Sequence, residues 1–433
     1  MGVRSIVVGL LGLALVRCGP SPGDGSGSTS AGDAGGTSST SALPTTGVVT
    51  TNGSTTDDVT GAGTGTTAAT LNTTTLATTG SSTGGPSECG PPCEHTWESH
   101  GWIELDETAD LSQFACMTKA WDLKFTGDIP QESLAAFANL REVALDLEFV
   151  DMPGLTDLSA FGCLRESHAL ILTDTPALTD LSGLGELVSL LEFTARRTGI
   201  VGLPGFAPGF GGLRYIALED NPALTDIGGL ATWTTHVDWP ITVHLIDDDA
   251  LTSIAPLAEV LARPDHEDIR VTLIGLDSLT SRTGLEPMAD PAQIAYELHL
   301  GDLPQIADLQ PISAISSVVA LTLAGMPKID SLADLGDLET ATYFRIGDCM
   351  DDSTMEGGMD DLTSLAGLDS LVDTYRLRVA GNANLSSLSG APKLHELAEF
   401  AAADNPLLTP VAIDEFVAKF ASPPEPVLCS NEY

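Results

Sequence analysis

Between Ala169 and Leu190 the chain reads ALILTDTPALTDLSGLGELVSL. Leu170 and Leu172 are spaced as in a short strand that buries one face. An Asp-Thr-Pro turn follows, and then leucines at every third position: Leu178, Leu181, Leu184 and Leu187. That spacing matches neither the 3.6-residue period of a helix nor the 2-residue period of a strand. It suits a chain that bends around a core and turns one side chain inward at each bend. Such a unit cannot bury its apolar edge alone, so it must stack on copies of itself.

The copies are present. Taking the second apolar strand residue as reference, they run Leu105, Phe125, Phe149, Leu172, Ala195, Leu218, Leu245, Leu273, Leu300, Leu323, Ile346, Val379 and Ala402. Six positions on, the chain reads Leu111, Gln131, Leu155, Leu178, Val201, Leu224, Leu251, Leu279, Ile306, Ile329, Leu385 and Leu408, with an acidic insertion delaying the residue after Ile346 to Leu362. Fifteen positions on come Leu140, Leu164, Leu187, Phe210, Trp233, Val260, Met288, Ile315, Leu338, Leu394 and Val417. The pattern predicts an α/β-type repeat solenoid, mainly parallel β, of about thirteen stacked coils with short helical turns on the convex side and capped ends. Pro256 to Ala262 reads as one such helix.

These residues resemble a leucine-rich repeat, most closely of the receptor L-domain kind. The signature N-P-x-L-T-x-L-x-x-L appears as Asn221-Pro222-Ala223-Leu224-Thr225-Asp226-Ile227-Gly228-Gly229-Leu230, and the likeness spans Gly101 to Phe420. It implies a solenoid fold and says little about function, because the family binds many things and catalyses almost nothing. One departure stands out. The inward position three after the reference, where the family favours asparagine, is Asn only at Asn221, Asn382 and Asn405; elsewhere it is Met152, Thr175, Thr198, Asp248, Leu276, Leu303, Met326 or Cys349.

Residues 1–18 read as an export signal, with Arg4 as its basic start and Ile6 to Val16 as its apolar stretch. It ends in Leu-Val-Arg-Cys, which resembles a bacterial lipobox, so Cys18 is the expected lipidation site although Arg17 departs from the small residue usual there. Residues 19–87 are rich in Gly, Ser and Thr and read as a disordered tether. Residues 88–120 form a cysteine-containing N-terminal cap and first coil, 121–408 the solenoid, and 409–433 a C-terminal cap helix and tail, opened by Thr409 and Pro410. Cys89, Cys93, Cys116, Cys163, Cys349 and Cys429 are the disulfide candidates, as suits an exported chain. Cys89, Cys93, His95 and His100 would be the donors of a zinc site, but their spacing is that of no known finger.

Charge narrows the partners. A net charge of −42, from 60 acidic against 18 basic residues, repels nucleic acid and anionic lipid. Two residues after the reference, Asp151, Asp174, Asp220, Asp247, Asp302, Asp348 and Asp404 alternate with Gly275, Gly325 and Gly381. Both residue types suit the turn that ends a strand, whereas a ladder of carboxylates would suit divalent cations. The insertion Met350–Asp361 reads as a solvated acidic loop, without the residue order of a calcium-binding EF-hand.

Residues that point away from the core fall into two rows. One holds Glu192, Tyr215, Arg270, Glu297, Tyr343, Arg376 and Glu399; the other holds His244, Thr272, His299, Arg345 and Arg378. Tyr343, Arg345, Arg376 and Arg378 gather on neighbouring strands and are the candidate ligand-binding set, with neutralisation of Glu399 and the acidic insertion as the competing role. His244 and His299, two strands apart, are too far separated to share a metal, and no metal or cofactor site is expected. No phosphate loop, nucleophile elbow or HExxH motif is present. The sequence thus points to a monomeric, non-enzymatic binding or adhesion module, lipid-anchored at a bacterial surface or else secreted, that recognises protein or glycan through its sheet face. The alternative is an envelope spacer with no specific ligand.

Overall fold

The computed structural model describes residues 89–206, 210–233, 240–262, 268–289, 295–347 and 357–427, all within one compact unit. The expected signal and Cys18, the tether at 19–87, Cys349, Cys429 and the insertion up to residue 356 lie outside the described residues.

Sixteen strands follow in chain order: β1 (Trp97–Glu98), β2 (Trp102–Leu105), β3 (Met117–Ala120), β4 (Asp122–Thr126), β5 (Glu142–Val150), β6 (Glu166–Thr175), β7 (Ser189–Thr198), β8 (Tyr215–Glu219), β9 (Ile241–Ile246), β10 (Ile269–Ile274), β11 (Ala295–Gly301), β12 (Ser317–Leu323), β13 (Thr340–Gly347), β14 (Asp373–Ala380), β15 (Glu396–Ala403) and β16 (Glu425–Pro426). They form one parallel sheet in which each coil pairs with the next; β1 with β2 and β3 with β4 are broken halves of the first two rungs. The thirteen reference residues, from Leu105 to Ala402, stand opposite one another in an unbroken row. Short 3-10 turns such as Ser182–Leu184 and Ala333–Leu335 return the chain, and one coil uses a helix, α1 (Leu257–Leu261).

The three-residue leucine spacing is explained by these turns. Leu178 N donates to Thr175 O, Leu184 N to Leu181 O and Leu187 N to Leu184 O, so every third residue faces the core. Leu178, Leu181, Leu184 and Leu187 are shielded almost completely, as are Leu224, Leu251, Leu362 and Leu385. Each such leucine contributes about 2 kcal/mol by leaving water. The turns stack so closely that a Cβ on Gly183 would collide with the Leu158 carbonyl and Ser159 nitrogen of the preceding coil.

The acidic row at the strand ends has a backbone cause. Asp151, Asp174, Asp220, Asp247, Asp302 and Asp404 adopt φ of 48–55°, and Gly275, Gly325 and Gly381 take their place at 57–68°. This left-handed conformation is open to glycine and tolerated by Asp. Arg197 holds it too, at 50°, and its guanidinium makes two hydrogen bonds to the Asp174 carboxylate one rung before.

Gln131 is only half-buried, and Ile129 and Leu134 are the core residues of that coil. Two further sequence expectations are corrected. Val201 is 48 % exposed, and Ile200 is the buried residue of that coil. The turn there is a residue shorter, through Gly199, whose Cβ would strike Pro176 O. The second concerns the coil after Ile346. Its position in the inward ladder belongs to Met359 and not Cys349: Met359 is fully buried, its N–H donates to Asn382 Oδ1, and Leu362 N donates to Met359 O as Leu385 N does to Asn382 O in the next coil. Ahead of the ladder residue, Gly357 O accepts from Gly325 N.

Along that ladder the polar residues link rung to rung. Asn221, Asn382 and Asn405 each donate from Nδ2 to the reference carbonyl of the preceding coil, at Ala195 (3.0 Å), Ile346 (3.2 Å) and Val379 (2.9 Å). Asp248 occupies the same position, fully buried. Its Oδ1 accepts from Asn221 N (2.9 Å) and Nδ2 (3.1 Å), while Oδ2 has no partner among the described residues. Burial pushes its carboxyl up to about 7, with Asp247 and Asp220 adding repulsion.

The ends are closed separately. Cys89–Cys163 and Cys93–Cys116 are disulfides with Cα separations of 5.5 and 5.7 Å, so neither Cys89 nor Cys93 has a thiolate for zinc. The last rung is covered by α2 (Pro410–Ala418), whose N-cap Thr409 accepts from Ala412 N and whose Phe416 ring lies 5.0 Å from Phe400.

Two outcomes follow from this packing. Leu224→Ala leaves a cavity between coils and is expected to lower unfolding free energy by about 3 kcal/mol in urea titrations monitored by circular dichroism. Asp248 binds its proton more tightly folded than unfolded, so its stabilising contribution is complete below the ordinary carboxyl pKa and is lost as pH rises through about 7. Asp248→Asn should therefore raise the thermal midpoint over wild type at pH 8 by several degrees and by far less at pH 5. A difference independent of pH would contradict the assignment.

Candidate functional site

Both outward rows form as the spacing predicts. Glu192, Tyr215, Thr242, Arg270, Glu297, Ala320, Tyr343, Arg376 and Glu399 stand in consecutive register, and so do His244, Thr272, His299, Thr322, Arg345 and Arg378. The cations here sit against carboxylates one rung away: Arg196 lies 3.5 Å from Glu219, Arg270 3.6 Å from Glu297, and Arg214 bonds Glu192. His244 meets the Tyr215 ring at 5.5 Å and His299 Nδ1 lies 2.9 Å from Thr322 Oγ1. Both histidines are half-buried, with Thr272 of β10 between them.

The four predicted ligand-binding residues are brought together on β13 and β14 but divide into two environments. Tyr343 stands opposite Arg376, and Arg345 opposite Arg378. Arg345 and Arg378 are 4 % and 5 % exposed, and both have interaction partners. Their expected place on an open face is thus corrected. Alternation alone assumes that nothing lies over the sheet, yet Thr322, Ala324, Ala380 and Ala401 in the same region are shielded as well.

The face opens instead toward the strand starts. Arg376 Nε bonds Glu399, Tyr375 Oη donates to Glu399 Oε1 at 2.9 Å, and the Arg376 guanidinium lies 5.7 Å from the Tyr343 ring centroid. The Tyr343 and Tyr375 rings meet edge to face at 6.1 Å. Beside this cluster runs a groove of about 370 Å³, lined by Thr340, Thr342, Asp373, Thr374, Tyr375 and Glu396. Arg376 holds the Glu399 carboxyl below the usual carboxylate range, and the bond to Glu399 holds the Tyr375 phenol above its ordinary value.

Tyr375 and the groove were not legible as a site from period-two alternation. On β14 the buried residues Thr374 and Leu377 are three apart, and so are Leu397 and Phe400 on β15. Two successive side chains therefore face outward on each strand, adding Thr342, Tyr375 and Ala398 as a further row. The departure from period two was the available signal.

No protein-family model and no curated protein matches the sequence. Among solved structures, an internalin from Listeria monocytogenes is similar at 16 % identity and a TM-score of 0.35, over 68 % of this chain and 85 % of that one. Likeness at that level has no bearing on what this chain binds. The register and turn bonds stand on their own. This is a parallel-β repeat solenoid of stacked leucine-rich coils.

Its outer face holds a cluster of two tyrosines, an arginine and a glutamate beside a polar groove. Such a surface can take hydrogen-bonding ligands with apolar edges. Glu399→Gln removes the carboxylate that holds the Tyr375 proton. The alkaline absorbance titration of this tyrosine, obtained by difference against Tyr375→Phe, should shift to lower pH; an unmoved titration would break the link between the two residues.

Proposed function

We propose that the chain is a non-catalytic binding module that recognises protein or glycan through the open part of its sheet face. The single observation that carries this reading is the groove beside Tyr343, Tyr375, Arg376 and Glu399, where an exposed aromatic ring is held in place by an ion pair. Aromatic and arginine side chains dominate contact energies at recognition surfaces. The ion pair fixes Arg376 and Tyr375 before a ligand arrives, which reduces the ordering cost of binding. The receptor L-domain likeness of the repeats fits a receptor-like role.

In this reading the module is tethered to a bacterial envelope through a lipid at Cys18 and the Gly/Ser/Thr-rich segment 19–87, which would hold the solenoid off the membrane. Protein and glycan arrays probed with the full chain and with Tyr375→Ala test it. A ligand captured by wild type and weakened at least tenfold in the variant, with the thermal midpoint unchanged, is the expected result. Equal capture by both, or no captured ligand at all, as from an envelope spacer, would contradict it. Metabolic labelling with a lipid probe, lost in Cys18→Ser, tests the anchor.

A further inference from the structure

The first rungs carry a second surface that the groove on β13–β15 does not explain. Trp102 and Trp121 are 41 % and 45 % exposed, whereas Trp233 is fully buried in the core. Trp121 occupies the break between β3 and β4, and its carbonyl accepts from Leu145 N at 2.8 Å, where the β5 register shifts. Those irregularities turn both side chains outward, and Leu145 is 37 % exposed beside them. Asp122 follows Trp121 in the chain and stands opposite Trp102 in the sheet.

The carboxylates around Asp122 outnumber their cations. Burial raises the Asp122 carboxyl to about 6, and Asp146 and Glu148 add repulsion. Its Oδ1 is buried with no hydrogen-bond partner among the described residues. Lys124 is shared between Glu104 at 3.8 Å and Glu148 at 3.9 Å, and His168 lies 3.7 Å from Asp146. One lysine and one histidine thus face four carboxylates.

We infer that this face, built from Trp102, Trp121, Leu145 and Asp122, docks a lysine- or arginine-bearing segment of a partner polypeptide. An inserted cation supplies the charge that Asp122 lacks and lies against indole faces that attract cations. The alkyl stem of the same side chain covers the indole and Leu145 surface, as long cationic side chains do. An anionic segment would add to the repulsion, and a neutral sugar would leave it in place. Among the described residues no three His, Cys, Asp or Glu side chains are grouped to hold a metal ion, so a bare cation is a poorer occupant.

Calorimetry and tryptophan fluorescence on the full chain test this with a tryptophan-free peptide of alternating arginine and leucine, its glutamate counterpart, and cellohexaose. The arginine peptide is expected to bind saturably at 150 mM salt and to quench fluorescence. The double variant Trp102→Ala/Trp121→Ala should lose at least tenfold in affinity and Asp122→Asn several-fold, while Val411→Ala at the far end keeps it. Wild-type affinity should rise from pH 5 to pH 7 as Asp122 gives up its proton among its neighbours Asp146, Glu148, Glu104, Lys124 and His168, and the rise should be smaller in Asp122→Asn. Should the double variant unfold, Trp121→Phe, which keeps an aromatic ring but weakens cation attraction, gives the same reading with a smaller loss. Unchanged affinity in these variants would mean binding spread over the acidic surface, and would overturn the inference. Equal binding of the glutamate peptide or cellohexaose, or no saturable binding, would overturn it too.

Discussion

Everything in this molecule depends on one coil shielding the leucines of the next. A single coil has no inside: its strand, turn and 3-10 arc enclose too little volume to hide Leu178 or Leu224 from water without a neighbour on each side. Burial is therefore a property of the contact between coils, and stability accumulates rung by rung. The same constraint makes the two ends weak. At the start, disulfides from Cys89 and Cys93 tie the irregular first rungs to Cys163 and Cys116, and at the finish α2 lays Phe416 against Phe400.

In-register stacking also decides what the surface can be. Each outward residue lies about 4.8 Å from its counterpart on the next rung, so like charges in one row repel strongly. An acidic chain needs its few arginines and lysines set between carboxylates, and Arg196, Arg214, Arg270 and Arg376 are placed so. Regular rungs thus neutralise themselves and leave little to recognise. Distinctive chemistry sits at the broken first strands, which expose Trp102 and Trp121, and in the row of doubled outward positions, where β14 carries Tyr375.

The reach of the sequence follows the same division. The repeat period placed all thirteen reference residues in their observed register, because a one-residue slip would turn a leucine into water. The Asp and Gly row was legible as strand-ending turns because only those residue types enter left-handed backbone readily. What escaped depended on local insertions and on depth. The short turn at Gly199 exchanged Val201 for Ile200, and the insertion moved the ladder residue from Cys349 to Met359. The burial of Arg345 and Arg378 was hidden because alternation reports which way a side chain points and says nothing of what lies over it. The upward shift of the Asp248 carboxyl was hidden for a related reason: its cause is burial, which the order of residues does not report.

The central claim is that successive coils form one continuous in-register stack. Spin labels at Asp146 and Glu297, six rungs apart in the same outward row, give its most direct measurement by pulsed electron spin resonance. Six steps of about 4.8 Å place the two backbone sites about 29 Å apart, and a single narrow distribution near that value, broadened by label length, is expected. A broad distribution, or a mean far from it, would mean that these coils belong to separate bodies and that their leucines are buried some other way.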